Sequence, residues 1–488
     1  MALLAFLWGR GRDTWYWTDE ALSLGISSHP LAAMADVLRQ DTSPPLYHLL
    51  LRAWMSLFGS SEASTHTLSL LFALAVVPAA LWAGWSLFDR RTGWMCALLA
   101  ALSPFLATYA NETRMYALVG LLSVLVTATL LHAFVFRRRR YLPAFAILLT
   151  LTMYTHYWGL FLALGAGLGV LLCAFVGTDR RQVLIDAVLA FGAVAVLFAP
   201  WVPTLLYQRA HSAIGWALPP SVPLVRDDLI GLIGGPFAAV ALTFGAGVAL
   251  VGMVKRPWDR TGTVVAATSV MTVAAVGAGW ITSRASSQWH ARYLGIVLAA
   301  AILILGLGLA RSGHLGVATL GIVAILAGPV NAGVPPDAKS NVKALSEQAA
   351  AVLQPSDLVF APIGAIPLLA HYLPPGLRYA TTTGPVVDPL AADWRDAVAR
   401  LTGSQPGLIL GASVDRIPVG GHVLVSCPPV VEADLAGLTE YVQLEIRRCL
   451  EGQQSLLENP SLEVSTLLQY PTEGDGPVEA RLLTKVSS

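Results

Sequence analysis

The sequence predicts a multi-spanning α-helical membrane protein whose C-terminal end is an α/β domain outside the membrane. Three observations predict it. Of 488 residues, 55% are hydrophobic and only 12% are charged, about half the ~25% charged share of a soluble domain. Apolar runs near the ~20 residues that a spanning helix needs recur through the first two thirds of the chain. Charge then divides unevenly, with 21 Lys and Arg against 13 Asp and Glu in residues 1–333, but 10 against 17 in residues 334–488. A formal net charge of +1, with the basic excess confined to short loops of the membrane half, excludes a nucleic-acid binder of the basic-patch kind. Four scattered cysteines, with no Cys-x-x-Cys or His-x-x-x-His pair, argue against a zinc or iron–sulfur centre.

In the membrane half, apolar runs start near Thr67, Trp94, Met115, Leu142, Trp158, Val183, Phe237, Thr263, Tyr293 and Leu315, which predicts about ten spans. The stretch from Leu142 to Val176 is too long for one span. Polar Tyr154 to Tyr157 interrupt its middle, so it reads as two helices joined by a tight turn. Basic residues recur at every second junction: Arg90 and Arg91, Arg137 to Arg140, Arg180 and Arg181, Lys255, Arg256 and Arg260, then Arg311. The positive-inside rule places these loops in the cytoplasm. Alternation then puts outside the segments around Asp19 to Thr65, Asn111 to Arg114, His156, Arg209 to Asp228, Ser283 to Arg292, and everything after Gly333. Met1 to Trp8 is apolar but too short to span, and lacks the basic start of a signal peptide. It implies a start site assigned too late, with part of a first helix missing; a re-entrant or interfacial segment is the alternative.

The first outer loop, residues 13–65, is amphipathic. "EALSLGISSHPLAAMADVLRQ" and "PPLYHLLLRAWMSLFG" suit short helices lying along the membrane face, anchored by Trp15, Trp17, Tyr47 and Trp54. Pro44 and Pro45 set the start of the second. Two domains are expected: a polytopic one over 1–333 and an extracytoplasmic α/β one over 334–488. The latter alternates helical "NVKALSEQAAAVL", strand "DLVFAP", helical "AIPLLAHYL", strand "RYATT", helical "LAADWRDAVARLTG", strands "GLILGA" and "HVLVSC", helical "ADLAGLTEYVQLEIRRCL", and strands "SLEVSTLLQY" and "VEARLLTKV". It has no phosphate-binding glycine loop. Cys427 ends a predicted strand and Cys449 lies near the end of the helix that follows, in an oxidising compartment by this topology, so a disulfide between them is expected.

Several polar residues stand where structure alone gives them little reason to be. Asp19 and Glu20 are adjacent carboxylates among aromatics in "YWTDEALS"; helix capping accounts for them, and so does a general base for an acceptor hydroxyl. Asp41 in "QDTSPPLYH" likewise reads as a cap for the second platform helix or as part of a site. Glu112 and Arg114 in "YANETRMYAL" open a spanning helix, His156 sits in "TMYTHYWG", and "SRASSQWHARYLG" carries Arg284, His290 and Arg292. An interfacial ion pair, an interhelical hydrogen bond and a solvated loop are their respective structural readings. All of them fall on one side of the membrane. Cations at the outer end of a bundle, beside an apolar groove, suit a lipid-linked phosphate. A nearby carboxylate supplies a base, and a sugar linked through phosphate already carries its leaving group.

Taken together, "WTDEALS", "DTSPPLYHLLLRAW", "YANETRMYAL", "YTHYWGLFL" and a late "RYLGIVLA" resemble the bacterial membrane glycosyltransferases of the GT-C fold. The nearest branch is that of the lipopolysaccharide-core galacturonosyltransferases, the protein O-mannosyltransferases and the aminoarabinose transferases. The resemblance covers roughly residues 14–310. It implies a polyprenyl-phosphate sugar donor, inversion at the anomeric carbon, and a reaction on the outer face of a bacterial plasma membrane. The family's first-loop acids fall on Asp19 and Glu20, with Asp19 the implied base. Its Asp-x-x-Pro-Pro-Leu-Tyr motif falls on Asp41, Pro44, Pro45 and Tyr47, with His48 next to it. Its Ser-Gln-Glu-x-Arg-x-Tyr segment is Ala-Asn-Glu-Thr-Arg-Met-Tyr here, which keeps Glu112, Arg114 and Tyr116 but replaces Gln with Asn111. Arg292 and Tyr293 are the implied contacts to the donor phosphate, with His156 and His290 as further candidates for substrate binding. The acceptor, whether glycan, lipid or protein, is left open, and so is a divalent metal. The rival class is a transporter or flippase for a lipid-linked sugar. Such proteins show internal repeats and polar residues near the bilayer centre, neither of which is found in the sequence.

Overall fold

The computed structural model of the chain describes residues 1–177, 179–212, 215–254, 259–327, 339–429, 432–468 and 479–487, except for the side chains of 253, 254, 432–434, 467 and 468. The expected domain boundary at 333/334 and two basic-loop residues, Lys255 and Arg256, lie outside the described residues. The first loop folds as α1 (Ala2–Trp8), α2 (Thr18–Ser28), α3 (Leu31–Gln40) and α4 (Leu46–Phe58). Pro30 and Pro45 stand immediately before α3 and α4, where a fixed φ is tolerated and no helical hydrogen bond is lost.

The membrane half continues through α5 (Glu62–Leu87), α6 (Arg90–Ala101), α7 (Pro104–Tyr109), α8 (Tyr116–Leu130), α9 (Leu142–Thr155), α10 (Gly159–Val176), α11 (Arg180–Phe198), α12 (Val202–His211), α13 (Val222–Leu232), α14 (Gly235–Val254), α15 (Arg260–Ala285), α16 (Leu298–Arg311) and α17 (His314–Ala327). Seven helical stretches are long and apolar enough to cross a membrane: Glu62–Leu87, Tyr116–Val135, Gly159–Val176, Arg180–His211, Gly235–Gly252, Arg260–Ala285 and Ala291–Arg311. The protein is an integral membrane protein with fewer full-length spans among the described residues than the ten apolar runs predict. The run from Trp94 is cut where the Ser103 hydroxyl accepts the Leu106 N–H at 3.3 Å and Pro104 opens a new helix. The run from Leu142 stops at the turn around His156, and α17 has 14 residues.

Small residues let the spans approach closely. A Cβ at Gly165 of α10 would lie 2.2 Å from the Met271 carbonyl oxygen of α15, and one at Gly169, a turn later, 3.0 Å from that of Ala267. Basic loops gather at one end of the bundle, where Arg311 pairs with Asp89 at 3.1 Å and Arg137 with Asp179 at 3.2 Å. The candidate site lies at the other end, the length of α5 away.

The C-terminal region forms α18 (Val342–Ala350), β1 (Leu358–Phe360), α19 (Ile366–Tyr372), β2 (Arg378–Thr381), β3 (Gly384–Val386), α20 (Ala397–Gly403), α21 (Pro406–Val414), β4 (His422–Cys427), α22 (Glu440–Leu457), β5 (Leu462–Leu468) and β6 (Glu479–Lys485). Six strands make one mixed sheet in the order β3-β2-β1-β4-β6-β5. β1 runs parallel to β2 and β4; the other pairs are antiparallel. Several elements differ from expectation. "LAADWRDAVARLTG" is helical only from Ala397, after Asp396 in the left-handed region, and the helix expected from Ala433 begins at Glu440 after a 3-10 turn. "GLILGA" is helical, within α21, because Pro406 opens a helix and Leu410 and Val414 bury one face; a short wholly apolar run has no period to separate helix from strand. The edge strand β3, with Pro385 in its middle, escapes a pattern search because proline argues against a strand. Cys427 of β4 and Cys449 of α22 are buried and joined as a disulfide with their Cα atoms 6.0 Å apart.

This domain docks on the first loop. Tyr16, Ala21 and Leu24 share a core with Val342, Leu345, Val359 and Leu424. The Tyr16 N–H donates to the Tyr372 hydroxyl at 2.8 Å, and His29 Nε2 meets Asp388 at 2.7 Å. Gly25 of α2 sits so close to the segment after β3 that a Cβ there would lie 1.8 Å from the Leu390 carbonyl oxygen.

Candidate active site

The aromatic run before α2 delivers the first acid. Trp17 precedes the helix with extended backbone and makes no side-chain cap, so Asp19 occupies the first turn rather than capping it, as one structural reading had it. Asp41 does not cap α4 either. It ends α3 and accepts a hydrogen bond from the Ser43 hydroxyl, which lies 2.9 Å from His48 Nε2.

Two arginines from different segments converge on Asp19. Its Oδ2 lies 2.9 Å from Arg292 Nη1 and 3.6 Å from Arg114 Nη2. Arg114 Nη1 also donates to the Asp19 carbonyl oxygen and the Ser23 hydroxyl, each at 3.0 Å. The guanidiniums meet the carboxylate off axis, leaving Asp19 Oδ2, Arg114 Nε and Arg292 Nε buried without an aligned hydrogen bond. The two orphaned Nε–H donors are what a further anion satisfies. Arg292 is reached by its position on the 3-10 turn Ala291–Val297, where the His290 ring accepts the Arg292 N–H at 3.3 Å. Its guanidinium lies 5.2 to 5.7 Å from the rings of Trp17, Tyr116, Trp216 and Tyr293. These rings hold the cation in place while excluding water.

Most of the other candidates join this cluster. Tyr116, His156 and Tyr293 are mutual ring neighbours at 4.7 to 6.2 Å, and His290 packs on Trp216 and Tyr293. Burial, together with the Arg114 and Arg292 cations, pushes His156 down to about 3, so it is a neutral imidazole. Arg284 is exposed and stays apart from the cluster. His48 is pushed down to about 4 by burial, against the pull of Asp41. Tyr47 is buried with its hydroxyl 3.5 Å from Ser69, and Pro45 positions the start of α4.

Glu20, one residue from Asp19, lies in a different environment. Its side chain is fully buried, and its oxygens meet His66 Nε2 at 2.6 Å, the Thr113 N–H at 2.7 Å and Lys339 Nζ at 3.0 and 3.1 Å. Burial alone would raise its pKa; Lys339, His66 and the hydrogen bonds overcome that and hold it at about 2. His66 Nδ1 lies 2.7 Å from the Arg12 carbonyl oxygen, so both ring nitrogens face oxygen atoms and the ring is fixed in place. This carboxylate has no lone pair free for a substrate proton. These contacts tie the first loop to His66 of α5, to the Thr113 backbone and to Lys339.

Lys339 is the residue that sequence reasoning missed. It also donates to the Asn111 carbonyl oxygen at 2.6 Å, and so clamps the segment that carries Glu112 and Arg114. The Glu112 carboxyl takes no hydrogen bond from a described residue. Burial pushes it up to about 7, with Lys339 and Arg292 opposing and Glu20 and Asp19 assisting. Among the described residues no three His, Cys, Asp or Glu side chains gather as a metal site.

No protein-family model and no curated protein sequence matches the chain. Solved structures do. ArnT from Cupriavidus metallidurans in the apo state is similar with a TM-score of 0.65 at 14% identity, over 99% of this chain and 96% of that one; the same protein bound to undecaprenyl phosphate gives the same score and identity, over 100% and 97%. The Archaeoglobus fulgidus oligosaccharyltransferase is similar with a TM-score of 0.52 at 14% identity over 87% and 67%. The arabinofuranosyltransferase AftD from Mycobacteria reaches 0.52 at 13% over 100% and 41%. At these identities the likeness concerns the fold, and the chain has the GT-C fold.

Proposed function

We propose that this protein is an inverting membrane glycosyltransferase that moves a sugar from a polyprenyl-phosphate donor to a hydroxyl of a cell-envelope acceptor. The carrying observation is the convergence of Arg114 and Arg292, with orphaned N–H groups, on Asp19. Two structures of the same fold support a lipid-phosphate donor, ArnT bound to undecaprenyl phosphate and AglB from Archaeoglobus fulgidus in complex with dolichol-phosphate.

In this reading the donor phosphate displaces the carboxylate from Arg292 and draws on the Nε–H groups of both arginines. Asp19 Oδ2 then accepts the proton of the acceptor hydroxyl as that oxygen bonds to the anomeric carbon. The bond from that carbon to the phosphate oxygen breaks on the opposite face, and the guanidiniums stabilise the charge that leaves with the phosphate. Neutral His156, Tyr116 and Tyr293 line the site without adding charge. The prenyl chain lies in the apolar groove lined by Leu99, Leu102, Leu232, Leu298, Ile302 and Leu305, which begins within two turns of Arg292. Residues 1–333 form the catalytic membrane domain and 334–488 an accessory domain outside the cytoplasm.

Mass spectrometry of products from a panel of polyprenyl-phosphate sugars tests the reading. Transfer by the native chain and none by Asp19→Asn is the expected result; donor binding with no turnover on any sugar would make the protein a carrier. A C-terminal alkaline phosphatase fusion should be active, and an inactive one would reverse the orientation.

A further inference from the structure

We propose that a second cleft, between α3, α12 and the C-terminal domain, is a carbohydrate site that holds the acceptor; this rests on the transferase reading. The cavity measures about 360 Å³ and is lined by Asp36, Arg39, Gln40, Pro203, Tyr207 and Arg395, within the size range of small-molecule sites. None of these residues belongs to the Asp19 cluster.

The chemistry of the lining selects the ligand class. Asp36 holds Arg39 at 2.9 Å, and Asp393 holds Arg395 through bonds of 2.8 and 2.9 Å. Asp393 also takes Arg400 at 3.4 Å, and Asp396 stands in the same segment beside His211, so Arg39, Arg395 and Arg400 face Asp36, Asp393 and Asp396 and the seam carries no excess of cations with which to attract a phosphate or an anionic lipid headgroup. It presents instead guanidinium donors, carboxylate acceptors and the Gln40 amide, which does both. The faces of Tyr207 and Pro203 stand beside them. Hydroxyls that donate and accept at once, on a ring with an apolar C–H face, are what such a lining fits.

The walls are preassembled from three parts of the chain. Gln208 Nε2 donates to the Leu38 and Ser43 carbonyl oxygens at 2.5 and 3.1 Å, and the Ser212 hydroxyl to that of Arg39 at 2.8 Å. From the C-terminal domain, the Trp394 N–H reaches Gln40 O at 3.0 Å and the Asp396 N–H reaches His211 O at 2.6 Å. A cleft built in advance does not spend binding energy on ordering itself. Its position also fits an acceptor. Gln40 and Ser43 are three residues apart, at most ~11 Å along an extended chain, and Ser43 bonds His48. The cleft and the inner site therefore share the 40–43 loop.

The test titrates the purified full chain with maltotriose, mannotriose and trigalacturonate by ligand-observed NMR, with phosphatidylglycerol vesicles and undecaprenyl phosphate as separate arms. At least one trisaccharide should bind. Tyr207→Ala and Arg395→Ala, both at exposed positions, should weaken it roughly ten- to a hundred-fold, while Tyr207→Phe keeps most of the affinity and undecaprenyl phosphate binding is unchanged in all three. Absence of trisaccharide binding, binding indifferent to both alanine variants, or an Arg395-dependent response to the vesicles alone would each overturn the proposal. Failure of the native chain to bind undecaprenyl phosphate would instead remove the transferase reading on which it rests.

Discussion

Asp19 and Arg292 are paired at 2.9 Å across the site, although 273 residues of chain separate them and they reach it from a first-loop helix and from the start of a late span. The proposed base is thus held by the proposed phosphate ligand until the donor arrives. In the proposed reading, donor binding and release of the carboxylate from Arg292 are a single exchange.

Replacing Asp19 with Asn keeps the shape of the side chain but removes its ability to take a proton. Turnover should fall ~100- to 10,000-fold, with the melting temperature close to that of the native chain and undecaprenyl phosphate still bound. Near-normal turnover measured by product mass spectrometry would reassign the base, with Glu112 the next carboxyl to test.

Arg292→Ala should weaken undecaprenyl phosphate binding by ~2–5 kcal/mol, since it leaves partner charge buried and unpaired. Arg292→Lys should restore only part of it. An ammonium lacks the planar fork and stacks less well among the four aromatic rings. Titration of the purified variants measures both.

Lys339→Met should destabilise the fold by ~3–5 kcal/mol, because it removes a cation from the fully buried Glu20. The thermal midpoint reads this directly. Glu20→Gln with Lys339→Met should recover much of the loss, whereas two independent surface effects would simply add.

Two carboxyls should shape the pH dependence of stability in opposite senses. Glu20, with its folded pKa lowered from 4.5 to about 2, contributes stability that is present above ~4.5 and lost as the pH falls toward 2. Glu112, raised from 4.5 to about 7, contributes stability that is present below ~4.5 and lost as the pH rises through 7. Glu112→Gln should therefore flatten the decline between pH 4.5 and 7 while leaving the acid limb in place. Thermal unfolding across pH 3–8 in detergent would show whether it does.

Thiol alkylation of the denatured, non-reduced chain should label Cys96 and Cys173 but spare Cys427 and Cys449. Reduction should cost the C-terminal region ~3 kcal/mol, given the 22-residue separation of the pair. Labelling of all four thiols would exclude the bond.

Asp19, Arg114 and Arg292 could be singled out from sequence because charged residues at the ends of apolar runs have few structural uses. The resemblance favoured Asp19 over Glu20, but the different surroundings of the two could not be read, since adjacent residues on a helix point about 100° apart and nothing local tells which side is closed by His66 and Lys339. Lys339 itself sits in a short polar stretch with no periodic pattern, and nothing local announces that its ammonium ends beside a carboxylate 319 residues away. The spans were legible as apolar runs, and so was the turn at His156, which polar residues announce; the break at Ser103 and Pro104 was not, because it interrupts a helix without interrupting hydrophobicity. Gln40, Tyr207 and Arg395 are ordinary surface residues until three distant segments bring them together.

The contact between Gly25 and the Leu390 carbonyl limits how this molecule can be rebuilt or diversified. Any side chain at position 25, even alanine, would act as a wedge between the first-loop helix and the C-terminal domain. A chimera that receives a foreign C-terminal domain would have to reproduce the backbone path through 388–392, or surrender the seam along which Asp388 and Tyr372 fasten to the loop. The two regions are therefore poor candidates for modular exchange, and drift in one is admissible only where the other leaves it room.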